Sequence, residues 1–278
     1  MQKKESRPVT ANELHTGPLP DRYEYPDKGD RITRSFIARS EPYPGYWEQS
    51  EDSAFAGFYA FCKETRREAM LDVGAGEGRL ALKLSPYFRE VTALDPDHGR
   101  LAQAQSAALE HGVPNIRFLE EEFLTLEMPG ESFDVVMISH VIQHINICTV
   151  PNFFSKAHQL LKRRGKLIIT TSHAKQGNGT AFSKAVLNGD RSSEVPIDEN
   201  EFNRLVVNSV GVLPVRFFSF AALRDMLSSL FDIETERVFH ELYPRNIFDL
   251  VMFRDTLINL SCIRDFFGRD MLVEARKR

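Results

Sequence analysis

The residues best suited to chemistry are Gly74, Gly76 and Gly78 in "LDVGAGEGRL" (71–80), with Asp72 before them and Asp95 downstream. Glycines at alternate positions after a short apolar run mark a turn where main chain can approach a ligand with no Cβ in the way. Asp95 ends the next apolar run. A carboxylate there can accept from two adjacent hydroxyls at once, because both of its oxygens are acceptors. A third apolar run, "SFDVVMISHVIQHI" (132–145), delivers Ser139, His140 and His144. Histidine ordinarily titrates near neutrality and so suits proton removal from a hydroxyl or amine. His140 reads equally well as such a base or as a residue packing the next helix. For His144 packing or capping is the first reading. His173, just past a later apolar run, is a further candidate. His140, His144 and Cys148 stand four apart, as ligands on one helix would, but His140 falls at a strand end, Asn146 and Thr149 mark a break, and no fourth ligand stands out. No metal is expected.

Three ligands compete for the glycine turn. A nucleotide-phosphate loop of the form G-x-x-x-x-G-K-[ST] is excluded, since no lysine stands at the required place. A dinucleotide fingerprint, G-x-G-x-x-G, needs its third glycine at 79, where the chain has Arg79; the glycine arrives one residue early, at 78. That weighs against a nicotinamide dinucleotide without removing it. The pattern that fits is D-x-G-x-G-x-G.

Several elements must hold these residues in place. The spacing of Ala54, Phe55, Phe58, Phe61 and Cys62 predicts a helix over about 49–67. Strands are expected at 69–73, 90–95, 116–121, 132–140 and 166–172, with helices between them. Asp97 should cap the helix that stops at Gly112, and "VPNFFSKAHQLLKRRG" should be a helix with proline in its first turn and a glycine stop. Strands alternating with helices imply a parallel sheet covered on both faces. Residues 173–218 read as an irregular polar stretch. Ser219 should cap a helix over 219–231, "DIETERVFH" should be a sixth strand, 246–268 should be helical, and "DMLVEARKR" should be a last strand.

On these motifs the chain resembles the class I S-adenosylmethionine-dependent methyltransferases. Four consecutive segments carry the resemblance: the glycine turn, Asp95 at the end of the second strand, "IRFLEEEFLTLEMPGESFDVV", and "SFDVVMISHVIQHI" leading to "LLKRRGKLIITT". Glu122-Phe123 and Arg163-Arg164 depart from the usual residues at their positions. The resemblance implies an α/β fold: a doubly wound, Rossmann-like, seven-stranded, mostly parallel sheet with the last strand antiparallel and helical cap insertions. It also implies S-adenosylmethionine as cofactor and S-adenosylhomocysteine as product. Asp72, Gly74, Ala75, Gly76, Gly78, Asp95, Pro96, Glu122, Phe123 and Ser139 would bind the cofactor, with Gly74 and Gly76 making room for its methionine end and ribose. His140 and His144 are the catalytic candidates. Tyr43, Tyr46, Trp47 and His173 would line the acceptor or form a lid, an aromatic face gaining about 0.5–2 kcal/mol beside a sulfonium. The expected organisation is an arm or lid over 1–48 and a methyltransferase domain over 49–278, with insertions at about 173–218 and 241–269. The expected substrate is a small-molecule oxygen, nitrogen or carbon acceptor; a protein or peptide acceptor and a non-catalytic cofactor-binding subunit are the alternatives.

Bulk composition agrees. The chain has 278 residues, 27% of them charged, and a net charge of −4 with acids and bases mixed. Its basic clusters, "KRR" at 162–164 and "RKR" at the end, are short, so nucleic acid is not the expected partner. No apolar run is long enough to span a bilayer, and the proline-rich start has no apolar leader core. Three cysteines far apart suit reduced thiols and a cytoplasmic location. The phenylalanine- and leucine-rich 246–268 segment could cap the acceptor pocket or form a homodimer face.

Overall fold

The computed structural model describes residues 32, 33, 35, 44–176, 181–189, 191–207, 211–241 and 257–278. Helix α1 (Tyr46–Glu64) leads into β1 (Arg67–Val73), α2 (Arg79–Leu84), β2 (Phe88–Leu94), α3 (His98–Glu110), β3 (Ile116–Leu119), β4 (Phe133–Ser139), α4 (Val150–Leu160) and β5 (Leu161–Ser172). An insertion follows, with β6 (Phe182–Asn188), β7 (Arg191–Pro196), α5 (Glu199–Val207) and β8 (Val212–Arg216). Then come α6 (Phe220–Leu227), β9 (Phe231–Phe239) and β10 (Asp270–Lys277). The main sheet has seven strands in the order β3-β2-β1-β4-β5-β10-β9. Only β10 runs against its neighbours, as expected for the last strand.

Both faces of this sheet are covered, so its central strands read as continuous apolar runs rather than as alternation. Successive residues serve opposite sides. Leu71, Val73, Val136, Ile138, Leu167 and Ile169 join Phe154 and Leu160 of α4 and Leu223 of α6. Met70, Val135, Met137 and Ile168 join Phe55 and Phe58 of α1 and Leu80 and Leu84 of α2. Fully burying one such side chain contributes about 1.5–3 kcal/mol. The expected caps are present: the Asp97 side chain accepts from Arg100 N and that of Ser219 from Ala222 N. Arg79, which broke the dinucleotide fingerprint, donates from Nη2 to the buried Glu51 of α1 at 2.9 Å. It therefore clamps α1 to the helix that follows the glycine turn.

Four local expectations are corrected. The helix expected through Gly165 ends at Leu160, and "LKRRG" opens β5 instead. Leu161 must enter the core, Arg164 turns with φ 62°, and the pairing with β4 is irregular between Phe133 and Val135. The helix expected after the glycine turn stops at Leu84, and a short 3-10 turn over Ser85–Tyr87 feeds β2. Within the 173–218 stretch, expected to be irregular, the described residues form a three-stranded antiparallel sheet, β7-β6-β8, with α5. The described part of this insertion is thus mainly strand, where helical insertions were expected. Ile32 packs on Ala185 and Leu213 of this sheet, and Ser35 Oγ accepts from Ser192 N at 2.9 Å. Finally, residues 246–256 of the expected 246–268 helix lie outside the described residues. Beyond Ile258 the chain forms turns and a 3-10 segment, Arg264–Phe266, not a continuous helix. No helix among the described residues is long and apolar enough to cross a membrane.

Candidate functional site

The strand order reverses beside β1, whose neighbours are β2 and β4. A parallel sheet opens a crevice at such a point, outside the carboxyl ends of its strands. The glycine turn sits there. Gly74 N and Ala75 N both donate to Leu94 O, at 2.8 and 2.9 Å, tying the turn to the end of β2. Asp95 then pegs it from the next residue: Oδ2 accepts from Gly76 N at 2.8 Å and Oδ1 from Asp97 N at 2.9 Å. Burial pushes the Asp95 carboxyl above its ordinary value, while those two main-chain donors pull it back.

Gly74 and Gly78 have φ of 69° and 80°. A Cβ on Gly74 would fall 2.4 Å from Val141 Cγ2, and one on Gly78 would fall 2.8 Å from Ala104 Cβ. The space freed by the missing side chains is thus filled by β4's loop and by α3. The glycines serve the turn's own closure, and room for a ligand lies beyond them. At Gly76 the neighbour is the Arg100 guanidinium, on a flexible stem reaching over the turn. Asp72 lies beneath, fully buried, with Oδ2 unpartnered among the described residues. Burial raises its carboxyl to about 7, against the pull of Arg79.

A cleft opens above the turn. Of the residues expected to bind a cofactor, Gly74, Asp95, Pro96, Glu122 and Phe123 line it. His140 and His144 line it too, joined by Arg100, Glu121, Val141 and Phe153, which sequence reasoning had not singled out. Phe123 and Phe153 meet with ring centroids 5.1 Å apart at one wall. The donor set fits S-adenosylmethionine. It offers a carboxylate at the end of β2 for ribose hydroxyls, an aromatic pair for a purine, and acids (Asp95, Glu121, Glu122) that favour a sulfonium cation.

The residues after β4 form a connected group. His140 has φ 54°, and its N donates to Thr170 O at 2.9 Å, which turns the side chain off the strand end. Ser139 Oγ pairs with Thr170 Oγ1 at 2.8 Å, so it joins β4 to β5. Gln143 Oε1 accepts from Ser172 N at 2.8 Å and lies 3.2 Å from both Thr171 Oγ1 and His140 Nδ1. Gln143 Nε2 is 3.2 Å from His144 Nε2, and His144 Nδ1 is 2.6 Å from Pro214 O of β8. Both nitrogens of His144 are therefore engaged, and burial lowers its pKa to about 4. Gln143 and Pro214 gave no sequence signal, one being a lone polar residue between histidines and the other lying in the insertion.

The remaining expected residues lie elsewhere. His173 Nδ1 faces Phe267 O at 2.9 Å, buried where the chain leaves the main sheet, and burial lowers its pKa. Tyr46 is buried and donates to Glu241 O, and the Trp47 carbonyl accepts from His240 Nε2 at 2.9 Å. These two anchor the start of α1 near β9 and β10. Tyr43 lies outside the described residues.

Comparison with known proteins agrees with this geometry. Residues 70–165 match the model of a methyltransferase domain. An uncharacterized methyltransferase, YcgJ of Bacillus subtilis, is 30% identical over 45% of this chain and 48% of its own length. A ubiquinone biosynthesis O-methyltransferase of Azorhizobium caulinodans is 31% identical over 37% of this chain and 39% of its own. The chain thus spans about half or less of the length of these relatives. In solved structures, YcgJ superposes with a TM-score of 0.53 at 21% identity, covering 80% of this chain and 98% of that one. The 1,6-didemethyltoxoflavin-N1-methyltransferase of Burkholderia thailandensis, solved with 1,6-didemethyltoxoflavin and S-adenosylhomocysteine bound, gives 0.51 at 16% identity. It covers 94% of this chain and 93% of that one.

Proposed function

We propose, from the match of residues 70–165 to a methyltransferase-domain model, that the chain transfers a methyl group from S-adenosylmethionine to a small-molecule oxygen, nitrogen or carbon acceptor. The observation that carries this reading is the cleft at the β1/β4 crevice, where Asp95, Glu122 and Phe123 meet His140. The Burkholderia neighbour's bound heterocycle supports an acceptor of small-molecule size. The proposed catalytic unit is 49–278 with its insertions; most of the expected 1–48 arm lies outside the described residues, and helix α1 begins before its boundary, at Tyr46. The free cysteines Cys62, Cys148 and Cys262 favour the cytoplasm.

The cofactor, when bound, supplies a methyl already activated on a sulfonium. The protein's task is binding, alignment and proton handling. Asp95 takes the ribose hydroxyls. Phe123, backed by Phe153, lines the purine, and Glu122 borders it. Alignment of the acceptor against the methyl is worth up to about 7–11 kcal/mol of barrier. As the acceptor atom forms its bond to carbon, the carbon–sulfur electron pair stays on sulfur. The acceptor's proton, where it has one to lose, passes to His140. His144, with both nitrogens engaged, holds the loop.

Titration calorimetry with S-adenosylhomocysteine and with NADH tests the cofactor, and a labelled-methyl screen of metabolite and protein pools tests the acceptor. S-adenosylhomocysteine should bind, NADH should not, and Asp95→Ala should weaken the former about 10- to 100-fold, the worth of hydrogen bonds to a charged group. Binding of NADH alone refutes the assignment. Label in protein but not in metabolites replaces the acceptor class.

A further inference from the structure

The hydrogen-bond chain behind His140 determines which of its nitrogens faces the cleft. It starts from main-chain groups whose roles are not adjustable. Ser172 N–H can only donate, so the Gln143 side-chain atom 2.8 Å from it is the amide oxygen. The other end of the amide is then NH2, and it donates to His144 Nε2 at 3.2 Å. That nitrogen must carry a lone pair, so the proton of neutral His144 sits on Nδ1, where it meets a carbonyl, Pro214 O, at 2.6 Å. The two ends agree: a donor fixed at β5 and an acceptor fixed at β8 impose the same orientation on Gln143. His144 is neutral near pH 7, because burial has lowered its pKa to about 4. Gln143 is itself 6% exposed, shielded from water that could substitute for these partners.

His140 inherits the consequence. Its Nδ1 lies 3.2 Å from Gln143 Oε1, an acceptor, so Nδ1 carries the proton. Nε2 is then the lone-pair nitrogen, and it makes no hydrogen bond among the described residues, while the side chain lines the cleft. We infer that Gln143 is a positioning residue that fixes His140 in its Nδ1–H form and presents Nε2 to the methyl acceptor as proton acceptor. After the proton arrives, the imidazolium still donates from Nδ1 to Oε1, so no partner has to rearrange. Asp270, on β10, also interacts electrostatically with His140. The inference rests on the methyltransferase reading for what Nε2 does, but the tautomer itself does not depend on that reading.

Nitrogen NMR of the full chain labelled at histidine, at a pH where imidazoles are neutral, reads it directly, with His140→Asn identifying the His140 signals. Imidazole in water favours the Nε2–H form; His140 and His144 should both appear as Nδ1–H. In Gln143→Leu, His140 should revert to mainly Nε2–H while S-adenosylhomocysteine affinity is unchanged. With an acceptor in hand, kcat should fall roughly 10- to 100-fold, part of the full worth of a general base, with KM little altered. Gln143→Glu keeps the acceptor for Ser172 and His140. It should retain the Nδ1–H form and move the acid limb of the rate profile to higher pH. His140 found as Nε2–H in the parent protein overturns the inference whatever the variants do, as does Nδ1–H persisting in a folded Gln143→Leu. Failure to bind S-adenosylhomocysteine refutes the methyltransferase reading and leaves the tautomer result standing.

Discussion

Replacing Gly78 by alanine separates two explanations of the glycine motif. If the glycine is there to admit a ligand, the substitution should weaken binding and leave the fold intact. The structure argues otherwise. Gly78 has φ 80°, a region that costs an L-residue about 1–2 kcal/mol. Its added Cβ would stand 2.8 Å from Ala104 Cβ and 3.3 Å from Ala104 Cα. The second contact is main chain in the middle of α3, so relief requires the helix to shift, an overpacking cost of about 1–3 kcal/mol. Together these give about 2–5 kcal/mol. For a domain of this size each kcal/mol moves Tm by about 2–4 °C, so Gly78→Ala should melt roughly 5–15 °C lower. Gly112→Ala is the matched control: its φ is 62°, with no atom within 4 Å of the new Cβ. It should lose only the conformational part, about 1–2 kcal/mol. Urea unfolding of both variants, with S-adenosylhomocysteine titrations on the folded proteins, gives the comparison. Equal destabilisation of the two would refute the packing argument. So would a Gly78→Ala protein that melts normally but no longer binds the nucleoside.

Two buried carboxylates predict opposite pH dependences. Asp72 has its folded pKa raised to about 7 by burial, so its stabilising contribution is complete below its unfolded value near 3.8 and is lost as pH rises through about 7. Unfolding free energy should therefore fall between pH 4 and 7 by an amount on the order of 1–4 kcal/mol; Asp72→Asn should flatten this interval, and an unchanged slope would refute the assignment. Asp270 is the reverse case. Burial raises its pKa, but the hydrogen bond with His240 at 2.6 Å outweighs that and brings it down to about 2. Its contribution, on the order of 2 kcal/mol, is present above pH 4 and lost as pH falls through about 2. Asp270→Asn should be less stable at pH 6 and converge with the parent protein toward pH 2; a constant gap between the two curves would show that the ion pair is not the cause.

The sequence announced the elements around the glycine turn through local signals. The 71–80 turn, Asp95 at a strand end and the caps at Asp97 and Ser219 each depend on a few neighbouring residues, and each stands where it was expected, although the space beside Gly74 and Gly78 is filled by Val141 and Ala104 rather than left for a ligand. It was silent wherever a residue's meaning comes from a distant partner. Arg79 looked like a missing glycine, yet it pairs with Glu51 twenty-eight positions earlier. "LKRRG" looked like a helix end because arginines and a glycine suit one; the deciding influence was the sheet, which drew Leu161 into the core. The hairpin β6–β7 carried a signal that could have been used: Gly189, with φ 62°, follows Asn188, and Asn188 pairs with Arg191 across a two-residue loop. Polar β7, with Ser192, Ser193 and Glu194, concealed it.

The insertion is physically linked to the loop after β4. Phe218 N donates to Ser172 O and Ala174 N to Phe218 O, at 2.9 and 2.8 Å, so the end of the insertion is stitched to the end of β5. Two residues before β8 ends, Pro214 O receives His144 Nδ1. A displacement of β8 would therefore pull on His144, through it on Gln143, and so on the ring of His140. On the proposed function, an acceptor seated against the inserted sheet would in this way set the orientation of His140. The contacts of the glycine turn run instead to β2, α3 and Val141. On the proposed function, cofactor binding and acceptor alignment would draw on different hydrogen bonds among the described residues, those of the turn and those of the Gln143–His144–Pro214 chain. Substitutions in the β6–β8 sheet should alter kcat and acceptor choice while leaving nucleoside affinity alone, and a loss of S-adenosylhomocysteine binding in such variants would refute that separation.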